Sequence, residues 1–249
     1  MNTYLIKEET LNDIADAIRD KTSSEQPIQV SDFASEIESI ETGGGGLDWT
    51  ALGYSEIPPT EQEIYNHALE IKNNWTTGDK FNADDKLNYV PLIDCSNVTD
   101  GTLFFYNNPT LRYVPALNMT SVKDCRFMFN ECPLLTHIDF KNFDTTNVTR
   151  MDSMFASCKS LEELDLSSFY TPNLTRVGSM FSSCSSLKKI DMRNFSLTQI
   201  TKSSYYSNMF NGVPDDCLII VKDNTEKTWI TTNFTNLTNV KTVDEYNAM

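Results

Sequence analysis

A set of apolar positions recurs every 24 to 26 residues through the middle of this 249-residue sequence. Each repeat contains a leucine, a phenylalanine six residues before it and an aliphatic residue three after it. The leucines are Leu87, Leu111, Leu135, Leu161 and Leu187; the phenylalanines are Phe81, Phe105, Phe129, Phe155 and Phe181; the aliphatic residues are Val90, Val114, Ile138, Leu164 and Ile190. Two further columns keep this register: Ile93, Leu117, Phe143, Phe169 and Phe195, and Val98, Val122, Val148, Leu174 and Ile200. Equivalent positions of a coiling backbone must stack in one core, so the columns predict a solenoid of stacked repeats.

Four consecutive glycines, residues 43–46, mark the clearest boundary in the chain. Such a run cannot hold a regular element and behaves as a flexible linker. Before it, residues 1–42 contain two helical patterns with N-caps at Thr10 and Ser31. Their apolar stripes are formed by Leu11, Ile14, Ile18, Phe33, Ile37 and Ile40. Because neither helix buries much surface alone, we expect this α-helical hairpin to be an anchoring or oligomerisation head. The alternative is a small appendage that folds by itself.

The chain after the glycine linker divides into three predicted parts. These are a helical N-terminal cap segment over residues 47–80, the solenoid over residues 81–221, and a C-terminal cap and tail over residues 222–249. The last repeat is three residues longer, and we expect a bulge or loop near Ser203 to Ser207. The pattern predicts a closing strand at Cys217–Val221, with Trp229, Ile230 and Phe234 covering the open end of the core. The tail from Lys241 is expected to be loosely held.

Charge and hydropathy exclude several classes of partner. The formal net charge is −15, and residues 1–46 are the most acidic part of the chain. A generic polyanion would be repelled, so we expect no nucleic-acid partner. No apolar run reaches the length of a membrane span and no signal peptide is recognisable, so membrane insertion is not expected. The six cysteines form no CxxC pair and are expected to be free thiols.

Two columns could in principle bind metal, and for both a structural role is favoured. Cys132, Cys158 and Cys184 share one column, where a small thiol suits a buried slot. A second column contains Asp139, Asp165 and Asp191, which are expected to cap turns rather than to form a calcium ladder. The two histidines, His67 and His137, are not near a nucleophile or metal motif in the sequence. We therefore predict no metal, no cofactor and no enzymatic activity.

Two positions between the core leucine and the next aliphatic residue should point out of the solenoid. They read Asn88-Tyr89, Arg112-Tyr113, Thr136-His137, Glu162-Glu163 and Lys188-Lys189. Tyr89, Tyr113 and His137 share one column, and Arg112 lies beside it. Exposed rings next to a guanidinium form a candidate contact surface for a sugar or a protein. An ordinary solvated surface is the alternative reading of the same residues.

Two segments of the repeats, residues 154–169 and 180–195, read MFASCKSLEELDLSSF and MFSSCSSLKKIDMRNF. They resemble the BspA-like leucine-rich repeats of bacterial surface proteins. That resemblance implies a leucine-rich-repeat solenoid of parallel β-strands with short irregular or helical returns, and a role in adhesion. The first two repeats depart from the pattern, with Pro91 and Pro115 where later repeats have aspartate.

The head carries a second resemblance. Tyr4–Lys7, Leu11–Thr22 and Phe33–Ile37 look like a short module found at the start of tail, baseplate and fibre proteins of tailed bacteriophages. The segments around Ile219–Asp223 and Lys241–Tyr246 are similar to the endings of repeat proteins from the same source. These likenesses imply a phage virion protein, assembled in the host cytoplasm.

The function expected from these features is a non-enzymatic structural or adhesive component of a phage virion, placed in a fibre, tail or baseplate. Residues 1–42 would bind other virion proteins or form a homo-oligomer, most naturally a trimer, as in phage fibres. The solenoid would be displayed towards a host cell-surface glycan or protein. The alternative is a bacterial cell-surface or cell-associated leucine-rich-repeat adhesin.

Overall fold

Short parallel strands dominate the part of the protein that the structure describes. This computed structural model describes residues 93–249 and, before them, residues 74, 76, 79–81, 83, 87–88 and 90. The predicted head, the glycine linker and most of the predicted cap segment lie outside the described residues. Within them the strands are β1 (Tyr113–Val114), β2 (His137–Ile138), β3 (Glu163–Asp165), β4 (Lys189–Asp191), β5 (Leu218–Val221) and β6 (Val240–Thr242). The same part contains a 3-10 helix (Ser203–Tyr205), α1 (Asn224–Asn233) and α2 (Val243–Asn247).

Within each of two sheets, every strand pairs in parallel with the next strand along the chain. β1 and β2 form one parallel sheet, and β3, β4, β5 and β6 form a second in chain order. In the second sheet Glu163 pairs with Lys189, and Lys189 pairs with Leu218. This register places equivalent residues of successive repeats side by side, as the periodicity predicted.

The strands are short because a turn follows at once. The carboxylates of Asp139 and Asp165 accept the backbone N–H two residues later at 2.9 Å, and that of Asp191 does so at 3.2 Å. An aspartate that binds the backbone in this way stabilises a turn. The prediction that these three aspartates cap turns is confirmed.

The core is built from stacked columns of equivalent side chains. Phe81, Phe105, Phe129, Phe155, Phe181 and Phe210 form one continuous stack with ring centres 5.2 to 5.8 Å apart. Phe143, Phe169 and Phe195 form a second stack at 5.4 and 5.9 Å. All five predicted columns line the core, with one exception. Ile138 packs against the core but stays partly exposed.

A second backbone ladder runs past the phenylalanine column and consists of turns. In the repeat around Phe105, the N–H groups of Leu103, Phe105 and Asn107 donate to carbonyls of the next repeat at 2.8 to 3.0 Å. Alternate residues can reach the next repeat in this way because two positions per repeat have a left-handed backbone. These positions are Leu103 and Asn107, Phe127 and Glu131, Ser153 and Ser157, Ser179 and Ser183, and Asn208 and Gly212. Left-handed backbone is unfavourable for residues other than glycine, so the stacked hydrogen bonds must offset the strain.

The C-terminal region is more regular than predicted. The longer last repeat forms the 3-10 helix Ser203–Tyr205 where a bulge or loop was expected. Strand β5 does not close the sheet, because β6 pairs with it in parallel. The prediction of a loose tail from Lys241 is wrong: α2 follows β6 directly, and Thr242 and Glu245 form a reciprocal capping box.

Helix α1 packs an aromatic cluster onto the end of the core. The Asp223 side chain caps the helix by accepting the N–H groups of Thr225 and Glu226. Ile230 is fully buried, and Trp229 and Phe234 pack around Tyr206 with ring centres 5.0 and 6.0 Å from it. Trp229, Ile230 and Phe234 therefore contact the core, as the sequence predicted.

Candidate binding surface

The outward side chains of strands β1 to β4 form one surface, here called the strand face. It consists of Arg112, Tyr113, Thr136, His137, Glu162, Glu163, Lys188 and Lys189. Tyr113 and Lys189 are partly exposed and the other six are exposed. Each pair lies between two core positions, the leucine before it and the aliphatic residue after it, of which Ile138 alone is partly exposed. The prediction that these positions point out of the core is confirmed.

At the β1–β2 end of the strand face, three of the four predicted site residues come together. Tyr113 pairs with His137 across the parallel ladder, and their rings stack at 5.0 Å with an interplanar angle of 9°. The carbonyl of Arg112 accepts the backbone N–H groups of Thr136 and His137 at 3.0 and 3.3 Å. The fourth residue, Tyr89, lies outside the described residues. The two stacked rings present polar edges and apolar faces, and the exposed Arg112 precedes Tyr113 in the chain, a set of side chains suited to recognition.

The β3–β4 end of the strand face is charged instead of aromatic. Lys188 and Glu162 form an exposed ion pair at 2.6 Å, which contributes little to stability because water screens it. The Lys189 ammonium lies 5.3 Å from the ring centre of Tyr246 on α2. A hydrogen bond with the Tyr246 hydroxyl raises the pKa of Lys189. Helix α2 therefore borders the strand face at this end.

The cysteine column is part of the core. Cys132, Cys158 and Cys184 are fully buried and unpaired. Each thiol donates to the carbonyl of a phenylalanine in the preceding repeat at 2.9 to 3.0 Å, and the acceptors are Phe105, Phe129 and Phe155. Burial raises the pKa of Cys132 and Cys184 to about 12 and raises that of Cys158 well above its usual value. Among the described residues no group of three His, Cys, Asp or Glu side chains is arranged to hold a metal ion.

These thiols should react slowly with alkylating agents as long as the protein is folded. The thiolate is the reactive form. At about pH 8, a thiol whose pKa is near 12 is almost entirely protonated. We expect Cys132, Cys158 and Cys184 to be labelled by iodoacetamide only after denaturation, as measured by peptide mass spectrometry. A disulfide among them, or fast labelling of the folded chain, would contradict the buried column.

A ladder of ion pairs, which the sequence analysis did not predict, links neighbouring repeats. Arg126 binds the Asp124 carboxylate through Nε at 2.9 and 2.8 Å. Asp152 accepts Nε of Arg150 at 3.0 Å and Nε of Arg176 at 3.1 Å. Burial opposes ionisation of Asp124, but hydrogen bonds from Arg126 hold its pKa below the usual value. The signal was present in the sequence, because Asp124-Cys-Arg126 in one repeat becomes Arg150-Met-Asp152 in the next.

Comparison with known proteins adds one match, which lies within the repeats. Residues 99–216 match a family described as "Mycoplasma protein of unknown function, DUF285". This stretch is just under half of the chain and includes β1 to β4. No curated protein and no solved structure matches the chain. None of the helices in the described residues is long and apolar enough to cross a membrane. The described strands pair in parallel, and the match to this family is compatible with a repeat-type protein.

Proposed function

We propose that this protein is a non-enzymatic, adhesive or structural component of a phage virion whose residues 81–221 form a BspA-like leucine-rich-repeat solenoid. The strand face would bind a glycan or a protein of the host surface. The observation that carries the proposal is the stacked pair of Tyr113 and His137 beside Arg112, on the outward side of a parallel ladder. The runner-up is a bacterial cell-surface or cell-associated adhesin with the same solenoid.

The solenoid part of the proposal is supported by the stacking of equivalent residues. Parallel pairing joins each repeat to the next, and the phenylalanine stack continues from Phe81 to Phe210. A repeat protein in which each unit contacts only its neighbours builds its core in this way. The match to a repeat family over residues 99–216 agrees with this reading.

The binding part is supported by the kind of side chain found on the strand face. Aromatic rings and arginine are the residues that most often dominate binding energy at interfaces, because they bury large areas and keep a polar group for orientation. Here the two rings already stack on each other on paired strands, so less side-chain freedom would be lost on binding than for two separate rings.

The virion part is supported by the resemblance of residues 1–42 and of the ending to phage proteins. Mass spectrometry of purified phage particles from a strain that carries the gene would test it. Recovery of the protein in particles at a constant stoichiometry is the expected result. Recovery only in the bacterial envelope fraction would favour the adhesin.

Replacing both Tyr113 and His137 by alanine should weaken binding of the full-length chain to isolated host envelopes by about tenfold or more, as expected when central aromatic contacts are lost. The matched control is Tyr170→Ala, because Tyr170 is an exposed tyrosine that is not part of the strand face. Co-sedimentation with increasing amounts of envelope gives the affinities. Unchanged binding of the double variant, or equal loss in the control, would contradict a binding role for the ring pair.

A further inference from the structure

A second surface carries an excess of positive charge although the chain as a whole is acidic. Parallel bridges align Asp124 with Arg150 and Arg150 with Arg176. The surface around them, here called the cationic strip, is formed by Lys123, Arg126, Arg150, Arg176 and Lys202. The carboxylates of Asp124 and Asp152 pair with its arginines. Asp100, which a bridge aligns with Asp124, pairs with Lys80, so the net charge of the surface remains about +3. Residues 93–249 together have fourteen basic and seventeen acidic side chains, a net charge of −3.

The arginines of the cationic strip are held in place by too few carboxylates to neutralise them. The Asp152 side chain is only 12% exposed and is shared by Arg150 and Arg176 through their Nε atoms. Arg150 and Arg176 occupy bridged positions of neighbouring repeats, where like charges repel each other, and the Asp152 carboxylate supplies one negative charge for the two. Asp152 contacts the Nε atoms of Arg150 and Arg176 and not their Nη groups. The two arginine side chains are 30% and 36% exposed. An anion at this position would relieve the repulsion.

The cationic strip ends at a depression beside the longer last repeat. The Arg176 guanidinium lies 4.7 Å from the ring centre of Tyr205, and the Lys202 ammonium lies 5.1 Å from it. The 3-10 helix that contains Tyr205 forms one wall of the depression. Its lining includes Asn173, Thr175, Gln199, Thr201, Lys202 and Tyr205. Extra residues in a single repeat often lie on a binding face. The amide N–H groups of Asn173 and Gln199 donate to backbone carbonyls, so the amide oxygens are the groups that would accept from sugar hydroxyl groups.

We propose that the cationic strip and the adjoining depression bind an anionic polysaccharide. Its carboxylate or sulfate groups would contact Arg150, Arg176 and Lys202, and its hydroxyl groups would enter the depression. This site is separate from the strand face, so the proposal goes beyond the function given above. A polysaccharide fits better than a nucleic acid because the Tyr205 ring is already covered by two cations and offers no platform for bases.

The test uses the full-length chain and three defined polymers: polygalacturonate, dextran sulfate and uncharged dextran. Isothermal titration calorimetry at low salt should detect the two charged polymers and not uncharged dextran. Replacing Arg150 and Arg176 together by glutamine should weaken binding by at least about tenfold, because two charge-assisted contacts are lost. The matched control is Lys159→Gln with Lys222→Gln, which removes the same charge from two exposed lysines outside the cationic strip.

A further variant keeps the test valid if the double arginine variant unfolds. Lys202 is exposed, so Lys202→Glu should keep the melting temperature and still weaken binding. Equal losses in the lysine control would overturn the proposal, because binding would then depend on total charge alone. Binding to uncharged dextran with equal affinity, tighter binding to single-stranded DNA than to either charged polymer, or no binding at all would also overturn it. Each result is independent of whether Tyr113 and His137 bind a host surface.

Discussion

Replacing Phe155 by alanine is expected to lower the free energy of unfolding by roughly 2 to 5 kcal/mol. The Phe155 ring is fully buried between Phe129 and Phe181, at 5.7 and 5.8 Å and nearly parallel to both. Phe140 adds an edge contact at 6.0 Å. The substitution therefore removes apolar surface from the middle of the stack and leaves a cavity that the neighbouring repeats, held by backbone ladders on two sides, cannot fill. Urea unfolding followed by circular dichroism measures the effect.

Leu161→Ala provides a second measurement in the same repeat, and Tyr170→Ala provides the control. Leu161 is fully buried and should show a loss of the same order, roughly 2 to 5 kcal/mol. The Tyr170 side chain is 58% exposed, so its removal should change stability by only about 0.5 kcal/mol. A loss below about 1 kcal/mol for both core variants would mean that the core register described for this repeat is incorrect.

The periodicity predicted the core because stacking demands apolar residues at every equivalent position. A column such as Leu87 to Leu187 cannot tolerate a polar residue without burying an unpaired group, so the pattern survives in the sequence. The outward positions of the strand face followed from the same register, because each pair lies between two positions that belong to core columns and is not itself part of a column. This is why Arg112, Tyr113 and His137 could be placed on one surface from the sequence.

The backbone ladder of turns beside the phenylalanine column could not be predicted from the sequence. It requires a left-handed backbone at two positions per repeat, and no single residue type marks those positions. Of the left-handed positions in the described residues, only Gly212 is a glycine. The equivalent residue is Ser183 in the repeat before Gly212, and it is Glu131 three repeats before Gly212. When the hydrogen bonds of neighbouring repeats offset the backbone strain, many residue types become acceptable and no compositional signal remains.

The end of the chain and the cationic strip were missed for different reasons. β6 is only three residues long, and its sequence, Val240-Lys241-Thr242, gives too little alternation to be recognised without its partner strand β5. The Asp–Arg exchange between repeats was visible, but which side chains meet depends on the bridges that align Asp124, Arg150 and Arg176. Charge pairs between repeats depend on register at the level of single residues, which apolar periodicity establishes only for the core columns.

Removing residues 1–42 is expected to change the oligomeric state of the protein. Residues 1–42 are too few to maintain a core of ordinary stability alone, yet the sequence places apolar stripes on two capped helices. Those stripes require burial against another surface. The glycine linker over residues 43–46 would allow a symmetric anchor to hold solenoids that need no symmetry of their own. We therefore propose that the head forms a homo-oligomer, in the first instance a trimer, or docks onto another virion protein.

Light scattering of three forms of the protein tests this proposal. The full-length chain should be oligomeric, with a mass about three times that of the monomer for a closed trimer. A chain that begins at Leu47 should be monomeric. Ile14→Asp combined with Ile37→Asp keeps the full length but places charge in both apolar stripes, so it should also be monomeric, because an unpaired charge cannot be buried at the interface.

If the full-length chain is itself a monomer, self-association is wrong, and docking onto another virion protein is the form of the proposal left to test. If the chain from Leu47 remains oligomeric, the association lies in the repeats and not in the head.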